Sequence, residues 1–149
     1  MQILWNGEPT DKFVPSRGIR QGDPLSPYLF VACMERLSQS IDELVGTKQW
    51  RPIAACGGGP EISHLLFADD IILFAEANEE QALVIKRCLD TFCEASGQKL
   101  STSKSKIWFS PNTLEHQVDS ICSILEMTKT EDFGKYLGVP TSNGRVTGG

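Results

Sequence analysis

LLFADDIILFAE, residues 65–76, places two adjacent aspartates, Asp69 and Asp70, between two runs of apolar side chains. Both carboxylates are ionised at neutral pH when exposed, and they repel each other. On the residues alone two readings stand. In the first, the pair is only a wet hairpin tip, because aspartate tolerates turn conformations and accepts backbone hydrogen bonds. In the second, the crowded carboxylates bind a divalent cation, which relieves their repulsion and takes hard oxygen ligands. Mg²⁺ suits that reading, since it takes one or two protein carboxylates and completes its shell with water and substrate phosphate. Such a site fits phosphoryl-transfer chemistry, in which two cations steady the attacking and leaving oxygens.

The flanking runs are continuously apolar rather than alternating, which predicts strands covered on both faces. Upstream, EISHLLFA (61–68) and WRPIAAC (50–56) bracket the turn GGGP and read as further strands. QILWN (2–6) and KFVP (12–15) predict a hairpin around GEPTD. SRGIRQGDPLSP (16–27) holds Gly18, Gly22, Pro24 and Pro27, too many breakers for regular structure, and is a loop. Ser26 as N-cap with Pro27 opens a helix to about Val45, in which Phe30, Met34, Leu37, Ile41 and Leu44 share a buried face. Downstream, Asn78 and Gln81 form a capping box for a helix carrying Ile85, Leu89 and Phe92 and closed by Gly97. QKLSTSKSKIWFS gives a polar turn and a strand. Asn112 with Glu115 caps another helix, with Leu114, Val118, Ile121 and Leu125 as its apolar face, and KYLGVP (135–140) is a short strand. The order predicts an α+β fold, a mostly antiparallel sheet with helices packed on one face.

Composition bounds the class. The 149 residues are 40% apolar and 22% charged with no low-complexity tract, the profile of one folded domain. No run approaches the roughly 20 apolar residues that span a bilayer, and MQILWNGEPT lacks the marks of a signal peptide, so an intracellular (cytoplasmic or nuclear) protein without a membrane partner is expected. Five cysteines without metal-finger spacing read as buried small hydrophobes, and His64 and His116 receive no role. The net charge of −5 argues against a general nucleic-acid binder, although Arg17 and Arg20 flank one loop and Lys99, Lys104 and Lys106 cluster in another.

FADD (67–70), RQGDPLSPYLF (20–30), SGQKLSTSKSKI (96–107) and KYLGVP (135–140) together resemble motifs of the reverse transcriptase palm. The type most similar is that of non-LTR, LINE-like retrotransposons, particularly those common in plant genomes. The resemblance covers residues 2–140 and implies a partial palm domain over 1–140, followed by a polar, disordered tail over 141–149. It implies an RNA-directed DNA polymerase, transferring nucleotides from dNTP to a DNA primer 3′ end on an RNA template with Mg²⁺ (or Mn²⁺). Asp69 is then the metal ligand of the hairpin and Asp70 its acidic neighbour. Phe67 and Ala68 face the primer terminus and the new base pair, the small Ala68 leaving room. Gln21 and Gly22 lie against the incoming nucleotide, glycine because a side chain would hold the backbone away, and Arg20 reaches phosphate or is merely solvated. Lys104 matches a proton donor to the pyrophosphate leaving group, and Lys106 touches nucleic-acid phosphate. Tyr136, Leu137 and Gly138 form the primer grip.

Two departures qualify these expectations. Ser101 stands where many members of the family carry asparagine. The third metal-binding aspartate of palm polymerases, expected in a D-x-x-K-A-[FY]-D stretch before the RQG loop, has no match ahead of residue 16, where Asp11 stands alone. The fingers are also without a match, and Met1 reads as a start inside a longer frame. The expected two-metal site is therefore incomplete, and the chain alone is expected to be inactive. The alternatives are a non-enzymatic retroelement remnant and a domesticated nucleic-acid-binding module.

Overall fold

The computed structural model describes residues 2, 4–12, 14, 22–54, 58–131, 135–136 and 139–140, without the side chains of Trp5, Lys135, Tyr136, Val139 and Pro140. Arg17, Arg20, Gln21, Cys56, Leu137, Gly138 and the tail 141–149 lie outside the described residues. In chain order the elements are β1 (Leu4–Trp5), β2 (Glu8–Pro9), α1 (Ser26–Gly46), β3 (Ile53–Ala54), β4 (Glu61–Ile62), β5 (His64–Phe67), β6 (Asp70–Leu73), α2 (Glu79–Ser96), β7 (Lys106–Trp108), α3 (Glu115–Leu125), β8 (Thr128–Thr130), β9 (Lys135–Tyr136) and β10 (Val139–Pro140). The expected α+β class holds. Among the described residues the strands form five two-stranded pairs rather than one sheet, and β7–β8 is parallel while the other four pairs are antiparallel. α3 is the crossover that makes β7 and β8 parallel neighbours.

The helices follow the apolar spacing. α1 buries Met34, Leu37 and Ile41, with Phe30 and Leu44 packed beside them, and α2 adds Val84 and Leu89, flanked by Ile85 and Phe92. Trp50, just beyond α1, is buried with this cluster, and its Nε1–H donates to the carbonyl of Phe74 at 2.8 Å. Val118 and Ile121 are the buried residues of α3, as their spacing predicts. Fully burying a leucine or isoleucine of this kind is worth about 1.5–3 kcal/mol relative to exposure.

Several boundaries differ from the sequence reading, each for a local reason. The first hairpin turns at Asn6–Gly7, with φ of 52° and 85°, and not at GEPTD. An Asn-Gly pair takes left-handed backbone more readily than a turn containing Pro9. Ser26 is the first residue of α1 rather than its cap. Asp23 closes that end, its Oδ1 accepting from the N–H of Leu25 at 2.9 Å and its carbonyl from Ser26 at 3.0 Å. Asn112 lies in a turn closed by the Thr113 N–H on the carbonyl of Ser110, so Leu114 becomes the N-cap of α3, with Gln117 Oε1 accepting its N–H. Leu114 is accordingly exposed and not part of the apolar face. EISHLLFA divides into β4 and β5, and KYLGVP into β9 and β10, a hairpin rather than one strand.

Asn78 caps α2 as expected, accepting from the Gln81 N–H at 2.9 Å, and Gly97 ends it at φ 71°. The other half of the capping box is diverted. The buried Gln81 side chain accepts from the Arg51 N–H at 2.7 Å and donates to the Gln49 carbonyl at 2.9 Å, tying α2 to the segment after α1.

Candidate active site at the β5–β6 turn

β5 and β6 pair in the register His64↔Leu73, Leu65↔Ile72, Leu66↔Ile71 and Phe67↔Asp70, leaving Ala68–Asp69 as a two-residue turn. Ala68 holds φ 50°, a left-handed conformation that costs a non-glycine residue about 1–2 kcal/mol. Because side chains alternate across a strand, Leu66 and Ile71 share one face and Leu65, Phe67, Asp70 and Ile72 the other. The first face packs against the α1–α2 core. The second does not: Leu65 is 41% and Phe67 55% exposed. The expectation of strands covered on both faces is thus corrected. The continuous apolar run places its second face along an open groove of about 970 Å³, with Leu65 and Ile72 on one side, Trp108 and Phe109 on the other, and Ile85 and Ile121 between.

Asp69 and Asp70 are both exposed at the tip. Among the described residues no side chain or backbone group donates a hydrogen bond or ion pair to either carboxylate, and no third His, Cys, Asp or Glu gathers with them. Arg51, on the segment before β3, is engaged with other carboxylates. It bridges Glu76 at 3.1 Å and Glu80 at 3.0 Å, and the hydrogen bond it donates to Glu76 together with the charge of Glu80 holds its guanidinium above the ordinary range. The carboxylate oxygens of the turn therefore remain available to a hard cation, and the donor set fits Mg²⁺.

The other residues expected at the site lie on separate segments. Gly22 has φ 85°, and an added Cβ would meet nothing within 4 Å, so within this chain its glycine is required by backbone conformation. Lys104 is exposed on a turn organised by one carbonyl: Ser101 O accepts from the N–H of Lys104 at 3.0 Å, and from both the N–H and the hydroxyl of Ser105 at 2.9 Å. Ser101 thus shapes the loop chiefly through its carbonyl, with its Oγ 3.3 Å from Ser103 Oγ. Lys106 donates from Nζ to Thr128 Oγ1 at 2.7 Å across the β7–β8 pair. No hydrogen bond or ion pair joins Lys104 or Lys106 to Asp69 or Asp70. Tyr136 lies on β9, paired with Val139.

Sequence reasoning missed His64. Its Nε2 lies 2.7 Å from Ser38 Oγ on α1, and its Nδ1 lies 2.9 Å from Ser63 Oγ. A histidine at the start of an apolar strand was the available signal.

The family profile described as reverse transcriptase (RNA-dependent DNA polymerase) matches residues 2–141. The chain belongs to the reverse transcriptase family. It is 33% identical over 154 residues to the retrovirus-related Pol polyprotein from the type-2 retrotransposable element R2DM of Drosophila melanogaster, an alignment covering 95% of this chain and 13% of that protein. A Pol polyprotein from a type-1 retrotransposable element R2 of Popillia japonica is 34% identical over 99 residues, 66% of this chain and 13% of that protein. An uncharacterized mitochondrial protein of Arabidopsis thaliana is 49% identical over 68 residues, 46% of this chain and 56% of that protein. The chain thus spans less than two thirds of the length of these relatives. No solved structure matches it. This similarity agrees with the non-LTR retrotransposon resemblance carried by the motifs. Reverse transcriptase domains use divalent cations such as Mg²⁺. No helix among the described residues is long and apolar enough to cross a membrane.

Proposed function

We propose that this chain is the carboxylate-turn portion of an RNA-directed DNA polymerase, in which Asp69 and Asp70 hold a divalent cation for nucleotidyl transfer from dNTP to a primer 3′ end on an RNA template. The observation that carries this reading is the exposed two-residue turn whose carboxylates have no hydrogen-bond or ion-pair partner among the described residues, within a chain of the reverse transcriptase family. When bound, Mg²⁺ or Mn²⁺ would supply charge stabilisation to the phosphate oxygens that change bonding. The chain's own residues position the reactants. Phe67 and Ala68 lie beside the primer end, the one-carbon side chain of Ala68 leaving space for a base pair. Gly22, with Gln21 and Arg20, lies along the nucleotide. Lys104 gives a proton from Nζ to the departing pyrophosphate, and Lys106 with Tyr136, Leu137 and Gly138 holds nucleic acid.

Two adjacent carboxylates hold one cation, whereas paired-cation chemistry needs another carboxylate ligand. The groove beside β6 is where we place its source: an extended apolar segment of a longer Pol chain, seated between β6 and β7 over α2 and α3, pairing with an open strand edge. Mn²⁺ titration followed by electron paramagnetic resonance tests the cation site. One bound ion per chain is expected, with Asp69→Asn lowering affinity at least about tenfold, and unchanged affinity in the double variant D69N/D70N would overturn the reading. Primed RNA with dNTPs and Mg²⁺ is expected to show no extension by the chain alone, and extension abolished by D69N would refute the need for a further carboxylate.

A further inference from the structure

The turn that carries Asp69 and Asp70 ends a two-stranded hairpin with no third strand bonded to it among the described residues. Its inner face rests on the core through Leu66, Ile71 and Leu73. Such apolar contact is non-directional: it fixes which face is buried but opposes sliding or tilting only weakly. Direction comes from a chain of hydrogen bonds at the hairpin base. Ser38 Oγ on α1 meets His64 Nε2 at 2.7 Å, and His64 Nδ1 meets Ser63 Oγ at 2.9 Å. The Ser63 carbonyl accepts from the Phe74 N–H at 2.7 Å, and the Phe74 carbonyl accepts from Trp50 Nε1–H at 2.8 Å, with Trp50 only 1% exposed. α1, both strand ends and the buried indole are thus joined in one line. Ser38–His64 is the side-chain hydrogen bond in that line that reaches α1.

We infer that His64, held by Ser38 and Ser63, is a positioning residue that sets the direction of the Asp69–Asp70 turn relative to α1. The lever is short and steep. Three residue steps separate His64↔Leu73 from Phe67↔Asp70, about 10 Å at about 3.3 Å per residue. A carboxylate must sit within about 0.5 Å of its working position, so a tilt of about 3° at the base already exceeds the tolerance at the tip. A serine hydroxyl can donate or accept, so either neutral tautomer of the ring satisfies both contacts. The inference rests on the cation reading of Asp69 and Asp70 for its consequence, but not for its geometry.

The test uses the full 149-residue chain labelled with ¹⁵N. Backbone order parameters of residues 67–70 report positioning, and Mn²⁺ broadening of the same amides reports cation binding. Ser38→Ala is expected to lower order at the tip and weaken Mn²⁺ binding about tenfold at a temperature far below its melting point, with Ser38→Thr restoring both. A merely structural role would lower the melting temperature and leave tip order unchanged, and that result would overturn the inference. If the wild-type tip is not broadened by Mn²⁺ the cation reading fails, and the order parameters still decide the positioning role. Should S38A not fold, His64→Gln, which keeps a donor toward Ser38 but not the second contact, is read by the same criterion.

Discussion

Ala68 carries the steric cost of the turn at φ 50°. A β-branched residue there meets the left-handed region with two branches on Cβ, so Ala68→Val is expected to destabilise the fold by about 1–2 kcal/mol beyond alanine, read by urea unfolding with an unchanged m-value. Gly97 makes the complementary case. Its φ is 71° and a Cβ would meet nothing within 4 Å, so Gly97→Ala is expected to cost only the conformational term, about 1 kcal/mol. The aspartates and the α2 C-cap glycine were legible from residue type, because charge in an apolar run and glycine after a helical stripe each have few explanations. The strain at Ala68 was not, since alanine carries no turn signal. The work that the Ser101 carbonyl does was equally hidden, because every residue owns one.

At the scale of elements, the helices were readable and their junctions were not. A 3.6-residue apolar period survives any tertiary context, and it located Met34, Leu37 and Ile41 correctly. Caps are set by competing local hydrogen bonds, so Leu25, its N–H bonded to Asp23, displaced Ser26 and Leu114 displaced Asn112. Gln81 illustrates the same competition with a larger stake. Gln81→Ala would leave the Arg51 N–H and the Gln49 carbonyl without this partner in a half-buried setting, an expected loss of about 2 kcal/mol or more in thermal unfolding. The α2–α3 junction adds a pH dependence. Lys86 Nζ donates to Glu126 Oε1 at 2.6 Å and to the Ile124 carbonyl at 2.9 Å. The Lys86 hydrogen bond and charge hold the Glu126 carboxyl below its ordinary range, so this pair stabilises the fold above that range, and the benefit is lost as pH falls through the depressed value. Lys86 is raised, with the Glu126 hydrogen bond as the leading cause, so its contribution is lost again as pH rises through the raised lysine value. Melting temperature against pH should therefore flatten on both flanks in Glu126→Gln.

For the whole molecule, the α+β class followed from element order, while the division into five strand pairs did not. Which edges meet depends on partners that no local pattern specifies. The consequence of that division is the groove, where Leu65 stays exposed although its run reads as buried, as does Phe67 nearer the turn. Large apolar surface of this kind binds hydrophobic dyes and neighbouring chains. Leu65→Lys, on the outer face, is expected to reduce anilinonaphthalene fluorescence and concentration-dependent light scattering without shifting the melting temperature by more than a few degrees.

The strand pairs also have a temporal meaning. Among the described residues four of the five close between neighbouring segments, such as Leu4↔Pro9 and His64↔Leu73, and the widest, Lys106↔Thr128, spans 22 residues with α3 inside it. Loop-closure entropy is small for each of these pairings. During synthesis, each hairpin can close soon after it leaves the ribosome, and the carboxylate turn can form before the β7–β8 unit has been translated.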